Sequence, residues 1–270
     1  PYTTLFRSRF VKMQGAGNDF VIINTFTESI PENYSQLAVK LCDRNFGVGA
    51  DGLILVLPSQ KNDIKMRIFN PDGSEPEMCG NGIRCFARFV YEEKIVSKKI
   101  IEVETLAGTI IPEIITEGEI VTGVKVDMGV PEFSLPETVK FAGIYFEITK
   151  VNMGNPHCVI FVEDLNKIDV SKWGPIIEND SMFPHKTNVE FVQVINDSTM
   201  KMKVWERGAG ITLACGTGAC ATLVAGVINN KTSMKAEVIL SGGTLLIEWP
   251  DKKKIYMIGP AELVFKGEII

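Results

Sequence analysis

Two cysteines, Cys79 and Cys215, stand in matching settings, Cys79-Gly-Asn-Gly82 and Cys215-Gly-Thr-Gly218, 136 residues apart. Each glycine pair leads into an apolar run at helical spacing. The first is marked by Ile83, Phe86, Ala87 and Val90, the second runs from Ala219 through Val224 to Ile228. A thiol at a helix start meets unpaired backbone N–H groups and the positive end of the helix dipole, which lower its pKa from ~8.5 and favour bound anions. One such thiol can ionise and abstract a proton while a second, still protonated, delivers one. With a substrate carbon between them, the pair inverts a stereocentre. Donors at the two helix starts, Gly80-Asn81 and Gly216-Thr217, would hold a carboxylate as charge develops on it. This chemistry requires no cofactor, and neither a PLP-lysine motif nor a metal-ligand cluster stands out in the chain.

The elements that must position these thiols repeat along the chain. Met66–Asn70 aligns with Met202–Glu206 at the same shift of 136; Gly17-Asn18 falls on Gly154-Asn155, and Asp51–Leu55 on Asn188–Val192, at 137. A duplicated domain is the simplest account. It predicts an α/β fold of the α+β type, with two pseudosymmetric domains, each a β-rich layer around a central helix, and the active site in the cleft between them. The expected boundaries are 9–125 for the first domain and 126–260 for the second, with the last strand, about 261–270, returning to the first. Residues 1–8 read as a remnant outside the fold, and Gln14–Asp19 as a glycine-rich loop between strands. Helices are expected from Ile30-Pro31 to near Arg44 and from Ile168 to Asn179, and strands at Gly52–Leu57, Ile64–Phe69 and Asn188–Val194.

Composition narrows the partners. The chain has 45% apolar and 23% charged residues and a formal charge of −5, without a long basic run, which gives no electrostatic reason to expect nucleic acid or an anionic membrane surface. The uncharged stretch Gly208–Asn230 has the length of a membrane span, but Gly208, Gly210, Gly216 and Gly218 break its first half, so it reads as a loop feeding a core helix. Six cysteines without a C-x-x-C pair indicate reduced thiols and a cytoplasmic protein. Cys42, Cys85, Cys158 and Cys220 read as inert core residues, and His185 as a surface-loop residue.

Met78–Cys85, Glu206–Gly210, Ala214–Cys220, Gly17–Phe20 and Gly154–His157 together resemble the signatures of the diaminopimelate epimerase family, in the family's order, over about Arg9–Phe265. The resemblance implies cofactor-independent interconversion of LL- and meso-2,6-diaminopimelate on the route to lysine, by a homodimer in which Phe265 contributes to packing. Carried over by position, the acid/base pair is Cys79 and Cys215, with His157 and Glu206 supporting catalysis. Substrate contacts fall on Asn18, Asn70, Gly80, Asn81, Asn155, Asn188, Glu206, Arg207, Gly216 and Thr217. Arg207 suits a carboxylate at the substrate's second amino-acid centre. Asn81 differs from the related proline racemases, which typically carry His there. Gly52 stands where some members have a substrate-contacting glutamine, and Asn45 and Ile211 where His and Glu are common. Two alternatives stay open: an enzyme of the same fold acting on proline or hydroxyproline, and a thiol redox or metal-binding protein built on the same two cysteines.

Overall fold

The computed structural model describes residues 7–270. The remnant expected at 1–8 lies mostly outside these residues, but Ser8 is buried and begins the first strand, paired with Ile269. Two compact units are present: one runs to Val126 and includes Gly259–Ile270, the other spans Asp127–Ile258.

The first unit contains β1 (Ser8–Gly15), β2 (Asn18–Asn24), α1 (Tyr34–Cys42), β3 (Gly52–Leu57), β4 (Ile64–Phe69), α2 (Gly80–Glu92), β5 (Val103–Thr105), β6 (Gly108–Ile110), β7 (Glu113–Glu117) and β8 (Ile120–Asp127, whose last residue opens the second unit). The second contains β9 (Glu132–Phe133), β10 (Glu137–Phe141), β11 (Ile144–Asn152), β12 (Pro156–Phe161), α3 (Val170–Glu178), β13 (Asn188–Asn196), β14 (Thr199–Glu206), β15 (Gly210–Ile211), α4 (Gly216–Ile228), β16 (Lys235–Leu240), β17 (Gly243–Glu248) and β18 (Tyr256–Gly259, whose last residue belongs to the first unit). The closing β19 (Glu262–Ile269) belongs to the first unit.

In the first unit the sheet order is β19-β1-β2-β3-β4-β5-β6. The pairs β2/β3 and β4/β5 are parallel, so α1 and α2 serve as their crossovers; β3/β4 is antiparallel. Strand alternation sends Val21, Ile23, Leu53 and Leu55 to one face, where α1 covers them with Leu37, Ala38 and Leu41. The helix α2 packs on the other face, against β1, β2 and β3. The second unit repeats this plan. Its strands run β10-β11-β12-β13-β14-β16-β17-β18, with β12/β13 and β14/β16 parallel across α3 and α4. One face packs Ile148, Ile160, Val189 and Phe191 against Val170 and Ile177 of α3. On the other, α4 is buried continuously from Gly218 to Gly226, as its uniformly apolar sequence dictates. Among the described residues no helix is long and apolar enough to cross a membrane.

Three local expectations change. The glycine-rich stretch Gln14–Asp19 is a two-residue hairpin turn: Ala16 and Gly17 both take positive φ (55° and 84°), the conformation that matches strand twist. The first helix starts at Tyr34 rather than near Pro31, because the Asn33 side chain accepts a hydrogen bond from Gln36 N and caps it there. The shift at β3 and β13 is 136 rather than 137: Phe20 pairs with Gly52 where His157 pairs with Asn188, and Leu53 pairs with Phe69 where Val189 pairs with Trp205. Gly52, not Asp51, is therefore the counterpart of Asn188.

Candidate active site

Cys79 is the N-cap of α2 and Cys215 the N-cap of α4. Both have extended backbone (φ −135°, ψ 120° and φ −128°, ψ 107°), which turns the side chain back over the first helical turn. Each sulfur then accepts a hydrogen bond from the N–H three residues on, Gly82 N at 3.4 Å and Gly218 N at 3.3 Å. Cysteine thus takes the capping role usual for serine or aspartate, and the glycines that follow let the first turn sit against the sheet. A Cβ on Gly218 would come within 2.8 Å of Glu190 Oε1 and 3.2 Å of Cys215 Sγ.

Around Cys79, Asn18 Oδ1 lies 3.7 Å from the sulfur and accepts from Asn81 Nδ2 at 3.3 Å. Asn18 is held from behind, its Nδ2 donating to Asp51 Oδ2 at 2.7 Å. Asp51 belongs to a charge network that the sequence reading missed. Arg44 bridges Asp51 (2.7 Å) and Asp19 (2.8 Å), and the buried Lys12 ammonium lies 2.6 Å from Asp19 while also donating to the Gly49 carbonyl. Burial pushes the Asp19 carboxyl up, but hydrogen bonds from Arg44 and Lys12 outweigh it and hold the group at about 2. A depressed carboxyl pKa stabilises the fold above its unfolded value of ~3.9, and this stabilisation disappears as pH falls toward 2. Asp19→Asn is therefore expected to destabilise the protein at pH 7 by at least about 2 kcal/mol, partly by stranding Lys12. Its stability should also vary less between pH 4 and 2 than that of the native chain, which urea titrations across that window would measure. Asn70, at the end of β4, instead ties its own turn, donating to Ser74 Oγ at 2.9 Å.

Around Cys215 the predicted Thr217, Asn155 and His157 form one hydrogen-bonded chain that ends on Glu190. Thr217 Oγ1 is 3.5 Å from the sulfur, Asn155 Nδ2 donates to Thr217 Oγ1 at 3.3 Å, Asn155 Oδ1 faces His157 Nε2 at 3.0 Å, and His157 Nδ1 faces Glu190 Oε1 at 2.7 Å. Glu206, which accepts from Thr212 Oγ1, also bonds the Cys215 thiol. Burial pushes the Glu206 carboxyl up, opposed by the Thr212 bond. The Cys215 thiol is raised well above its ordinary value, first by burial and then by the Glu206 and Glu190 carboxylates, which outweigh the Thr217 and Gly218 donors. Replacing Glu206 by Gln removes one of those charges. The Cys215 thiolate fraction at pH 8, read as the rate of iodoacetamide labelling of its peptide, is expected to rise.

Asn188 and Arg207 are positioned together. Asn188 Oδ1 accepts from Arg207 N at 2.9 Å and its Nδ2 donates to Pro156 O at 2.8 Å, while Arg207 Nη1 donates to the His185 carbonyl at 3.2 Å. The turn that carries Glu206 and Arg207 is anchored by Glu178 at the end of α3, which accepts from Gly208 N (3.0 Å) and Trp205 Nε1 (2.7 Å). Glu178, Glu190 and Thr212 were not anticipated. A charged residue at an inward strand position, as Glu190 is within Asn188–Val192, is the one signal that marks such a group in sequence. None of the six cysteines is in a disulfide. Burial raises Cys42 to about 11 and Cys85 to about 12 and lifts Cys158 well above the ordinary thiol value, so these three stay protonated at neutral pH.

The sequence model of the family described as "Diaminopimelate epimerase" matches residues 10–134 and 149–264, spanning both helix-capping cysteines. The chain belongs to the diaminopimelate epimerase family. It is 53% identical over 273 residues to the diaminopimelate epimerase of Pelotomaculum thermopropionicum, covering 96% of this chain and 98% of that protein. It is 52% identical to the Moorella thermoacetica enzyme of the same name over 273 residues, with the same coverage. Solved structures share the fold at lower identity. A Bacillus anthracis phenazine biosynthesis protein of the PhzF family superposes with a TM-score of 0.73 at 18% identity, covering 98% of this chain and 99% of that one. A probable proline racemase from Agrobacterium radiobacter does so with a TM-score of 0.70 at 13% identity, covering 96% and 92%.

Proposed function

We propose that this chain interconverts LL- and meso-2,6-diaminopimelate on the route to lysine, without a cofactor, by moving the α-proton between two cysteine sulfurs. The observation that carries this reading is the pair of N-capping cysteines on duplicated helices, each followed by backbone donors fit for a carboxylate. One sulfur, as thiolate, takes the α-proton; the electron pair left on carbon delocalises into the carboxylate held by N–H donors; the other sulfur, as thiol, returns a proton to the opposite face. Thiol and thiolate have then exchanged roles and no net proton is consumed. The raised Cys215 thiol enters this cycle as the proton donor.

Substrate contacts are assigned to Asn18, Asn70, Gly80, Asn81, Asn155, Asn188, Glu206, Arg207, Gly216 and Thr217, with His157 and Glu206 supporting the sulfur of Cys215. Arg207, exposed and held at its backbone by Asn188, is suited to fork onto the distal carboxylate. Six cysteines without a disulfide fit a cytoplasmic setting. The edge strand β19 exposes Leu263, Val264 and Phe265 by 46–54%, and this apolar strip supports homodimer formation.

A racemase of the same fold is the nearest competing reading, because solved proline racemase and hydroxyproline epimerase structures share the architecture. Reduced protein incubated separately with LL-diaminopimelate, L-proline and trans-4-hydroxy-L-proline separates the two by chiral chromatography. Conversion of LL-diaminopimelate alone is expected, and conversion of a proline instead would overturn the assignment.

A further inference from the structure

The duplication supplies its own control for the Cys215 chain. By strand register, His157 and Glu190 occupy the places that Phe20 and Ile54 hold in the first unit. The equivalent close approaches agree: a Cβ on Gly82 would meet Ile54 Cδ1 at 3.4 Å, and one on Gly218 would meet Glu190 Oε1 at 2.8 Å. All four side chains are buried, at no more than 2% exposure. The architecture is therefore satisfied by an apolar pair, and an ionic pair at the same place carries a desolvation cost that packing does not require.

The polar groups around His157 fix what it carries. Nδ1 faces a carboxylate oxygen of Glu190, and Nε2 faces Asn155 Oδ1, because the Asn155 amide nitrogen is turned to Thr217. Both ring nitrogens thus face an oxygen atom able to accept a hydrogen bond. The second carboxylate oxygen of Glu190 is buried without a hydrogen-bond partner among the described residues, and His157 is the neighbour that bonds the first. The other ionisable groups facing this pair are Glu206 on β14, Cys215 at the start of α4 and Cys158 on β12.

We propose that Glu190 is a positioning residue for the epimerase reaction: its buried carboxylate holds His157 doubly protonated, so that Asn155 and Thr217 are oriented with their donors toward Cys215. The doubly protonated ring polarises the Asn155 amide, Asn155 donates to Thr217, and the Thr217 hydroxyl keeps its own proton for the sulfur. The device acts on one of the two thiols only, since the first unit has Phe20 and Ile54 in its place. This inference rests on the proposed function for its consequence, but not for its structural content.

Nitrogen-15 histidine labelling tests the structural content directly, because the chain has two histidines and a His185→Gln variant assigns the signals. At pH 7.5 both ring nitrogens of native His157 are expected to give pyrrole-like shifts with attached protons, and Glu190→Gln is expected to turn one of them pyridine-like. A pyridine-like nitrogen in the native protein would overturn the proposal, since it would place the amide or the proton the other way round. For the consequence, His157→Phe with Glu190→Ile installs the first unit's pair. That double variant is expected to keep or raise Tm while kcat falls at least tenfold, and Glu190→Gln to lower kcat more than it changes KM, with partial recovery in Glu190→Asp. An unchanged kcat in Glu190→Gln would overturn the positioning role even if the double variant fails to fold. A native protein that epimerises no diaminopimelate would instead remove the proposed function, with the nitrogen spectra still deciding the state of the pair.

Discussion

Serine at either Cys79 or Cys215 is expected to lower kcat for LL-diaminopimelate by about 10²–10⁴-fold, the usual contribution of a positioned acid or base. Serine is itself a favoured N-cap, so the bond to the N–H of Gly82 or Gly218 can be kept and the helix retains its start. Thermal unfolding should consequently shift by no more than about 1 kcal/mol in stability while turnover collapses. The two variants should differ in kind: each removes the exchanging group on one face, so each should affect proton removal from one epimer and delivery to the other. A variant of either cysteine with turnover within a few-fold of native would remove the two-base mechanism and leave the thiols a capping role only.

Gly218→Ala is expected to have the second largest effect. Its added methyl meets Glu190 Oε1 at 2.8 Å and the Cys215 sulfur at 3.2 Å, both inside the normal approach distance. Neither neighbour has room to retreat, because Glu190 is completely buried and Cys215 caps the same helical turn. The first turn of α4 must shift, and displacement of a reacting group by about 1 Å costs on the order of 10²-fold in rate. Overpacking of this kind also destabilises by about 1–3 kcal/mol. Parallel measurement of kcat and chemical denaturation distinguishes the two components, and an alanine variant with native turnover would show that the sulfur position is not critical.

Much of this architecture is legible in the sequence because it is written in period and repetition. The strands Gly52–Leu57 and Ile64–Phe69 are bounded by the residues their apolar runs predict, and α2 and α4 follow directly from the helical spacing after each cysteine. What escapes is local competition between signals. Pro31 offers one helix start, but the Asn33 cap two residues later is the stronger one. Gly15-Ala16-Gly17 resembles an open ligand loop, yet the strands on either side hold it in a two-residue turn. A one-residue difference in spacing before β3 and β13 is invisible to a gapless alignment and becomes plain only from strand pairing.

The candidate site divides in the same way. Residues adjacent to the cysteines, such as Gly80, Asn81, Gly216 and Thr217, come with the motif. Asn18 opens β2 and Asn155 directly precedes β12, and the repeat aligns these two; His157, the second residue of β12, comes with the family resemblance. The groups that hold those residues in turn leave little mark, because Asp51, Glu178 and Glu190 act through contacts distant in sequence: Asn18 to Asp51, Gly208 to Glu178, His157 to Glu190. An acidic residue in an otherwise apolar strand is the trace that Glu190 leaves, and its meaning depends on finding His157 beside it.

Exchange of the α-hydrogen is the most direct measure of the central claim. Reduced protein incubated with LL-diaminopimelate in D₂O, without added cofactor, is expected to incorporate one deuterium at a single α-carbon of the meso product, with incorporation abolished in both Cys79→Ser and Cys215→Ser. Absence of α-deuterium from substrate and product in the native, fully reduced protein would contradict proton transfer between the two thiols.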